Sequence, residues 1–329
     1  MLSYGAFVLA ASMILGQAED RAKQDDFTKL RRFLGNWEAT DVEAGGRKAQ
    51  VHVSWKRILG GRFFEEKWMA VADSNKAIAW GIGIFGRDPA DKKLKCWEFA
   101  STGDIMPLEL LEWKGKTSVW DTVVVQANGT PRKGKTTMTF VGKDSYTWEL
   151  AFETGDPLRA AFKRATPKRD LWPQPTSKMP EGVREQLKDI AWWTGGFSTE
   201  GSDAFTGKTS VGQSNCGWTL DGKFLLYDLA FVESDLTVGR YRAIIGVDPS
   251  TNKTTGWEFD STGTVGKYTV SDKGQDIVGK AISPAAGVLG FKGRLTQTAN
   301  GSQYRATGKL SDGKETSYHG IWKKRLTEK

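Results

Sequence analysis

The sequence predicts an all-β protein: two tandem antiparallel β-barrels, each preceded by a short α-helix. Three observations predict it. Short alternating apolar segments are separated by turn residues, the chain resembles itself at an offset of 160 positions, and one proline-rich stretch divides the copies. The length of 329 residues suits two domains of ordinary size. The 14 tryptophans and 38 glycines point to aromatic packing and frequent turns rather than to a disordered chain.

The chain opens on an apolar run at residues 6–15, followed by Gly16 and Ala18 and then by acidic Glu19 and Asp20. That is the pattern of a cleavable export signal, so residues 1–18 are expected to be a signal peptide and the protein to be exported. The run falls short of the about 20 apolar residues that span a bilayer, and no later stretch competes, so no transmembrane segment is expected.

The first barrel domain is expected over residues 19–166. Phe27, Leu30, Phe33 and Leu34 fall on one helical face, and Gly35 stops the helix. Strands follow. In "QVHVSWK", Val51, Val53 and Trp55 alternate with Gln50, His52 and Ser54, the period of a half-buried strand, which sets His52 on the surface side. "RFFEEKWMAV", "AWGIGIF", "KCWEFA", "TSVWDTVVV", "KTTMTFV", "SYTWELAF" and "RAAFKR" read as further strands. Residues 167–182 contain four prolines and read as an extended linker.

The second barrel domain is expected over residues 183–329. Val183, Leu187 and Ile190 repeat the helix before Gly195, and strands such as "KFLLYDLAF", "TGWEFD" and "SYHGIWKK" repeat the sheet. Trp97, Glu98 and Phe99 align with Trp257, Glu258 and Phe259, and Gly86, Asp88 and Pro89 with Gly246, Asp248 and Pro249. A period this long marks two complete folds, because solenoid units run about 20 to 50 residues. Eight to ten strands per copy argue for a closed meander, since closure removes exposed edges. Asp88 and Asp248, each before a proline, cap turns, and the Asn-Gly pairs at Asn128 and Asn300 read as hairpin turns.

The net charge of +8 is spread along the chain. Without a reading motif it describes a solvated surface, and no nucleic-acid partner is expected. Cys96 and Cys216 occupy non-equivalent places in the repeat and are expected to be buried free thiols. No paired-cysteine, metalloprotease or phosphate-loop motif occurs, so neither a dedicated metal site nor nucleotide chemistry is expected.

"LGNWEA" from Leu34, "ILGGRFFEE" from Ile58 and "FGRDPADKKLKCWEFASTG" from Phe85 resemble the bacterial family called domain of unknown function 1579. The second half matches more loosely, with Phe197 in place of the early tryptophan. More distantly, the helix and "G-x-W" strand are similar to the calycin superfamily of lipocalin-like barrels. That resemblance implies a calycin-like barrel able to hold a small apolar molecule. It also implies that Trp37 stacks on Lys163 or Arg164 to close one barrel end, and that Phe197 pairs with Lys323 or Arg325 in the second copy.

The leading expectation for function is the binding of a small hydrophobic or amphipathic ligand in one or both barrels. Trp55, Trp80, Trp97 and Phe99 are the candidate lining residues of the first, and Trp218, Trp257 and Phe259 those of the second. Such residues can equally fill a core. The ending "YHGIWKK" is similar to the last strand of nitrobindins, which implies an alternative in which His319 ligates haem. A third reading, a hydrolase or isomerase, would use Glu98 and Glu258 as buried acids. Trp97 and Phe99 hold the stronger claim to the interior, so both glutamates are expected to face outward.

Overall fold

The computed structural model describes residues 24–44, 47–72, 76–167, 172–204, 207–271, 273–285 and 287–325. The expected export signal at residues 1–18 lies outside the described residues. Each half is a closed antiparallel barrel in which consecutive strands pair and the last returns to the first.

The first barrel follows helix α1 (Gln24–Lys29), which tightens into a 3-10 turn at Leu30–Phe33. Its strands are β1 (Gly35–Ala44), β2 (Arg47–Ile58), β3 (Phe63–Ala72), β4 (Ala77–Arg87), β5 (Leu94–Ala100), β6 (Ile105–Lys114), β7 (Thr117–Val125), β8 (Pro131–Phe140), β9 (Ser145–Phe152) and β10 (Leu158–Ala165). The second follows α2 (Glu185–Lys188). It comprises β11 (Gly195–Asp203), β12 (Thr209–Thr219), β13 (Phe224–Glu233), β14 (Val238–Asp248), β15 (Lys253–Asp260), β16 (Val265–Ser271), β17 (Asp276–Ser283), β18 (Gly287–Thr298), β19 (Gly301–Leu310) and β20 (Glu315–Lys324).

The helical end of the first barrel is plugged by aromatic rings. Phe33 is fully buried, stacks on Trp55 at 4.9 Å and meets Tyr146 edge-on at 5.2 Å. The Arg164 guanidinium lies 3.8 Å over the Trp37 ring, the closure implied by the calycin resemblance, and it also donates to the Leu34 carbonyl. In the second barrel the cations expected to pair with Phe197 are engaged elsewhere: Arg325 hydrogen-bonds Asn215 and the Ser214 carbonyl, and Lys323 pairs with Glu200 at 2.9 Å.

The two barrels share a core. Phe63, Met69, Trp80, Ile82, Ile84 and Phe99 on the outside of β3–β5 pack against Phe224, Leu226, Ile244, Trp257 and Phe259 on the outside of β13–β15. The ring contacts come in matched pairs. Phe63 meets Phe259 at 5.4 Å as Phe224 meets Phe99 at 5.4 Å, and Trp97 meets Phe259 at 5.1 Å as Trp257 meets Phe99 at 5.1 Å. The partners exchange under the repeat, so the seam has the geometry of an isologous dimer interface inside one chain. Each edge-to-face pair adds about 0.5–1.5 kcal/mol beyond its area burial.

The symmetry breaks at the Arg242 position. Where the first copy has Ile82, the second has Arg242, and where the second has Leu226, the first has Glu65, the sheet register aligning β3 with β13 at an offset of 161 and β4 with β14 at 160. Arg242 grips Asp228 through two bonds of 2.7 and 2.9 Å and also pairs with Glu65 across the seam, while Lys56 reaches Glu65 at 2.8 Å. Burial pushes the Glu65 carboxyl up, but Arg242, Lys67 and Lys56 outweigh it and hold Glu65 below the usual carboxylate range. Asp221, in the left-handed conformation at φ 52°, accepts from Trp80 Nε1 at 3.2 Å, a second contact without a counterpart in the other copy.

Removing one partner of this buried pair strands the other. Arg242→Ile is therefore expected to cost about 3–5 kcal/mol in urea denaturation. Adding Glu65→Leu, which restores the apolar pairing of the symmetric position, should recover most of that loss, and a double variant no more stable than Arg242→Ile would contradict this account.

Candidate functional site

The site is built on one hydrogen-bonded row that crosses five strands of the first barrel. Trp55 pairs with Glu66, Glu66 with Gly83, Gly83 with Glu98 and Glu98 with Met106. These residues share a phase with Phe64, Phe85, Cys96 and Leu108, all in the first barrel's core, so all five face inward. Gly83 brings two carboxyl groups together. A Cβ there would lie 3.4 Å from Glu66 Oε2 and 3.3 Å from Cys96 Sγ, so only glycine leaves the space between the glutamates free of a side chain. The Trp68 indole lies across Gly81 and donates from Nε1 to Glu98 Oε1 at 2.6 Å.

Electrostatics follow from the enclosure. Burial, then the charge of Glu98, push the Glu66 carboxyl well above the usual carboxylate range, with the Trp55 indole working against them. Burial pushes Glu98 up to about 7 against the Trp68 hydrogen bond. No cation stands among these neighbours, so the pair is expected to retain a proton near neutral pH. Cys96, beside the pair, is a free buried thiol whose own ionisation burial and the two glutamates suppress.

The inward face of this barrel is not uniformly buried. Glu66, Trp68, Met106 and Trp148 face inward yet keep accessible surface, as does Val51. Below them Trp120, Trp37 and Tyr146 are 0%, 1% and 2% exposed. We read these partly exposed inward side chains as the mouth of a lumen above the carboxyl pair, closed beneath by the aromatic plug.

The equivalent row of the second barrel is Cys216, Tyr227, Ala243, Glu258 and Gly266. Tyrosine has replaced the second carboxyl. Tyr227, Tyr241, Tyr268, Tyr304 and Tyr318 are all buried in this interior, and Tyr241 donates to Glu258 Oε2 at 2.7 Å. Burial pushes Glu258 up to about 8 and Asp260 up to about 6.

Several expectations from the sequence are corrected here. Trp55 and Trp218 lie in barrel interiors, but Trp80, Trp97, Phe99, Trp257 and Phe259 lie on outer faces, in the seam or along it. Glu98 and Glu258, expected to face outward, face inward. The physical reason is that β5 and β15 are buried on both faces, so their apolar residues mark the seam and their glutamates the lumens. His52 does lie on the outer face, but it is buried there, with Nδ1 3.3 Å from Glu38. Glu66 was missed by sequence reasoning. Its only signal was a glutamate in phase with Phe64 and Trp68 on a strand otherwise apolar on that side.

His319 alternates with Tyr318 and Trp322, which are in the core, so its ring points away from the barrel interior. It lines a cavity of about 850 Å³ with Asp276, Lys292, Arg294 and Arg305. The same cavity also touches Ile277, Ala306 and Tyr318 of the second barrel's core. Among the described residues no group of three or more metal-ligating side chains occurs, and no helix is long and apolar enough to cross a membrane.

No family model matches the sequence, and no curated protein matches it. Among solved structures, 27 chains match. A β-barrel, EF1p2_mFAP2b, bound to DFHBI is 13% identical over 43% of this chain and 100% of its own, with a TM-score of 0.28. A de novo designed fluorescence-activating β-barrel is 15% identical over 41% of this chain and 94% of its own, with a TM-score of 0.25. A DUF3598-family protein of unknown function from Nostoc punctiforme is 12% identical over 91% of this chain and 98% of its own, with a TM-score of 0.26. Likenesses this distant do not bear on function.

The raised Glu258 sets a pH dependence. Its folded value of about 8 lies above the ordinary 4.5, so the stability linked to its proton is fully present below pH 4.5 and is lost as pH rises toward 8. Glu258→Gln, which keeps an acceptor for Tyr241, should flatten the fall in melting temperature between pH 5 and pH 9. An unchanged slope in the variant would contradict the buried protonated carboxyl.

Proposed function

We propose that the protein binds a small amphipathic molecule with a basic group in the lumen of its first barrel. The observation that carries this reading is the inward-facing Glu66–Glu98 pair, with no counter-cation among its described neighbours, together with the partly exposed inward side chains Trp68, Met106, Trp148 and Val51. A buried carboxyl pair sharing one proton still carries a negative charge, and a protonated amine satisfies it better than water does at a site of low polarity. The indoles add favourable faces for a cation and cover for an apolar body. The second barrel, filled by its tyrosines, serves in this reading as the rigid partner. The export signal read at residues 1–18 and the motifs resembling domain of unknown function 1579 suit a binding protein that acts outside the cytoplasm.

One observation favours a second reading. Glu98, near 7 and facing Glu66, is poised as a general acid or base, so a proton-transfer enzyme would use this same pair. Loss of a turnover activity in Glu98→Gln, with ligand binding retained, would establish it.

Binding is tested with dodecylamine and dodecanol, followed by calorimetry at pH 7. The amine should bind more tightly than the alcohol, and the double variant Glu66→Gln, Glu98→Gln should weaken the amine about tenfold or more, the worth of a charge-assisted contact. Equal affinity for the two probes, or an amine indifferent to the double variant, defeats the proposal.

A further inference from the structure

The duplicated stretches meet. Asp88 and Trp97 from the first copy and Asp248 and Trp257 from the second line one cavity of about 420 Å³ at the edge of the seam. Its size falls in the range of small-molecule sites. The ring contacts of Trp97 with Phe259 and of Trp257 with Phe99 back its inner wall. The cross-strand pairs Ile105–Val125 and Val265–Ile282, one from each barrel, give it matching apolar sides.

The chemistry of the two sides differs. Where the first barrel places Pro107 opposite Trp97, the second places Lys267 opposite Trp257. Lys267 in turn sits directly opposite Lys280 across β16 and β17, and both side chains are exposed on the outer face of the sheet. Like charges so placed repel. Both aspartates are already engaged, Asp88 by Lys95 at 2.8 Å and Asp248 by Lys267 at 2.8 Å. Lys280 has no carboxylate within ion-pair distance among the described residues. A negative group between the two lysines would relieve their repulsion, and the indoles and aliphatic walls would cover an apolar body.

We propose that the seam cavity is a second binding site, for a small amphipathic anion: its acidic group lies between Lys267 and Lys280, and its apolar body lies against Trp97 and Trp257. The site needs both barrels, and it is distinct from the first-barrel lumen in place and in charge preference.

The probe is 1-anilinonaphthalene-8-sulfonate, compared with N-phenyl-1-naphthylamine, which has the same rings and no sulfonate, both followed by fluorescence with the full chain. The sulfonate should bind more tightly than the neutral amine, and its affinity should fall as salt rises. Lys280→Glu, at an exposed position, should weaken it at least tenfold while leaving the neutral probe within twofold. Arg305→Gln, at the other cavity, and Glu66→Gln with Glu98→Gln, in the lumen, should leave the sulfonate unchanged. A sulfonate affinity within twofold of the parent in Lys280→Glu overturns the proposal. A loss that follows Arg305→Gln or the lumen variant instead also overturns it.

Discussion

Everything else in the molecule leans on the seam between the barrels. Burying the outer faces of β3–β5 against those of β13–β15 removes apolar surface from water at about 25 cal/mol per Å², and it does so on strands whose inner faces are also buried. Those strands consequently tolerate polar residues only where a partner or a lumen receives them. Glu65 survives on the outer face because Arg242 and Lys56 meet it. Glu98 survives on the inner face because Trp68 donates to it and the lumen lies beside it.

The pseudo-two-fold arrangement explains how copies of one barrel can diverge. The ring contacts that hold the seam are duplicated and equivalent, so neither copy could lose Phe99 or Phe259 without losing half of them. Away from those rings the copies have drifted in complementary directions. The Arg242–Glu65 pair faces its apolar counterpart Ile82–Leu226, an arrangement that favours the unlike pairing over either like one. Inside the barrels the drift is larger. Glu66 and Gly83 in one copy correspond to Tyr227 and Ala243 in the other, which replaces a facing pair of carboxyls by a carboxyl among tyrosines.

That contrast also separates two roles for the same residue type. Glu98 and Glu258 occupy equivalent positions, and burial raises both. Glu258 is tied to a tyrosine hydroxyl in a filled core, where its proton is a matter of stability. Glu98 faces a second carboxyl at the base of a lumen, where its proton becomes a matter of recognition. Position in the fold is shared; chemistry is set by what stands across the neighbouring strand.

The architecture was legible in the chain alone: two copies, short alternating strands closing into barrels, a helix ahead of each, and the Trp37–Arg164 closure through the resemblance those motifs carry. Strand periodicity encodes these because alternation is local to each strand. Which face of "WEF" is inside became readable only in the assembled barrels. A strand buried on both faces alternates between two apolar environments, so Trp97 and Phe99 looked like interior residues and proved to be seam. Glu66 was hidden for the same reason, since its meaning lies in Gly83 and Glu98 on the adjacent strands, and strand register is a property of the assembled sheet rather than of any one segment.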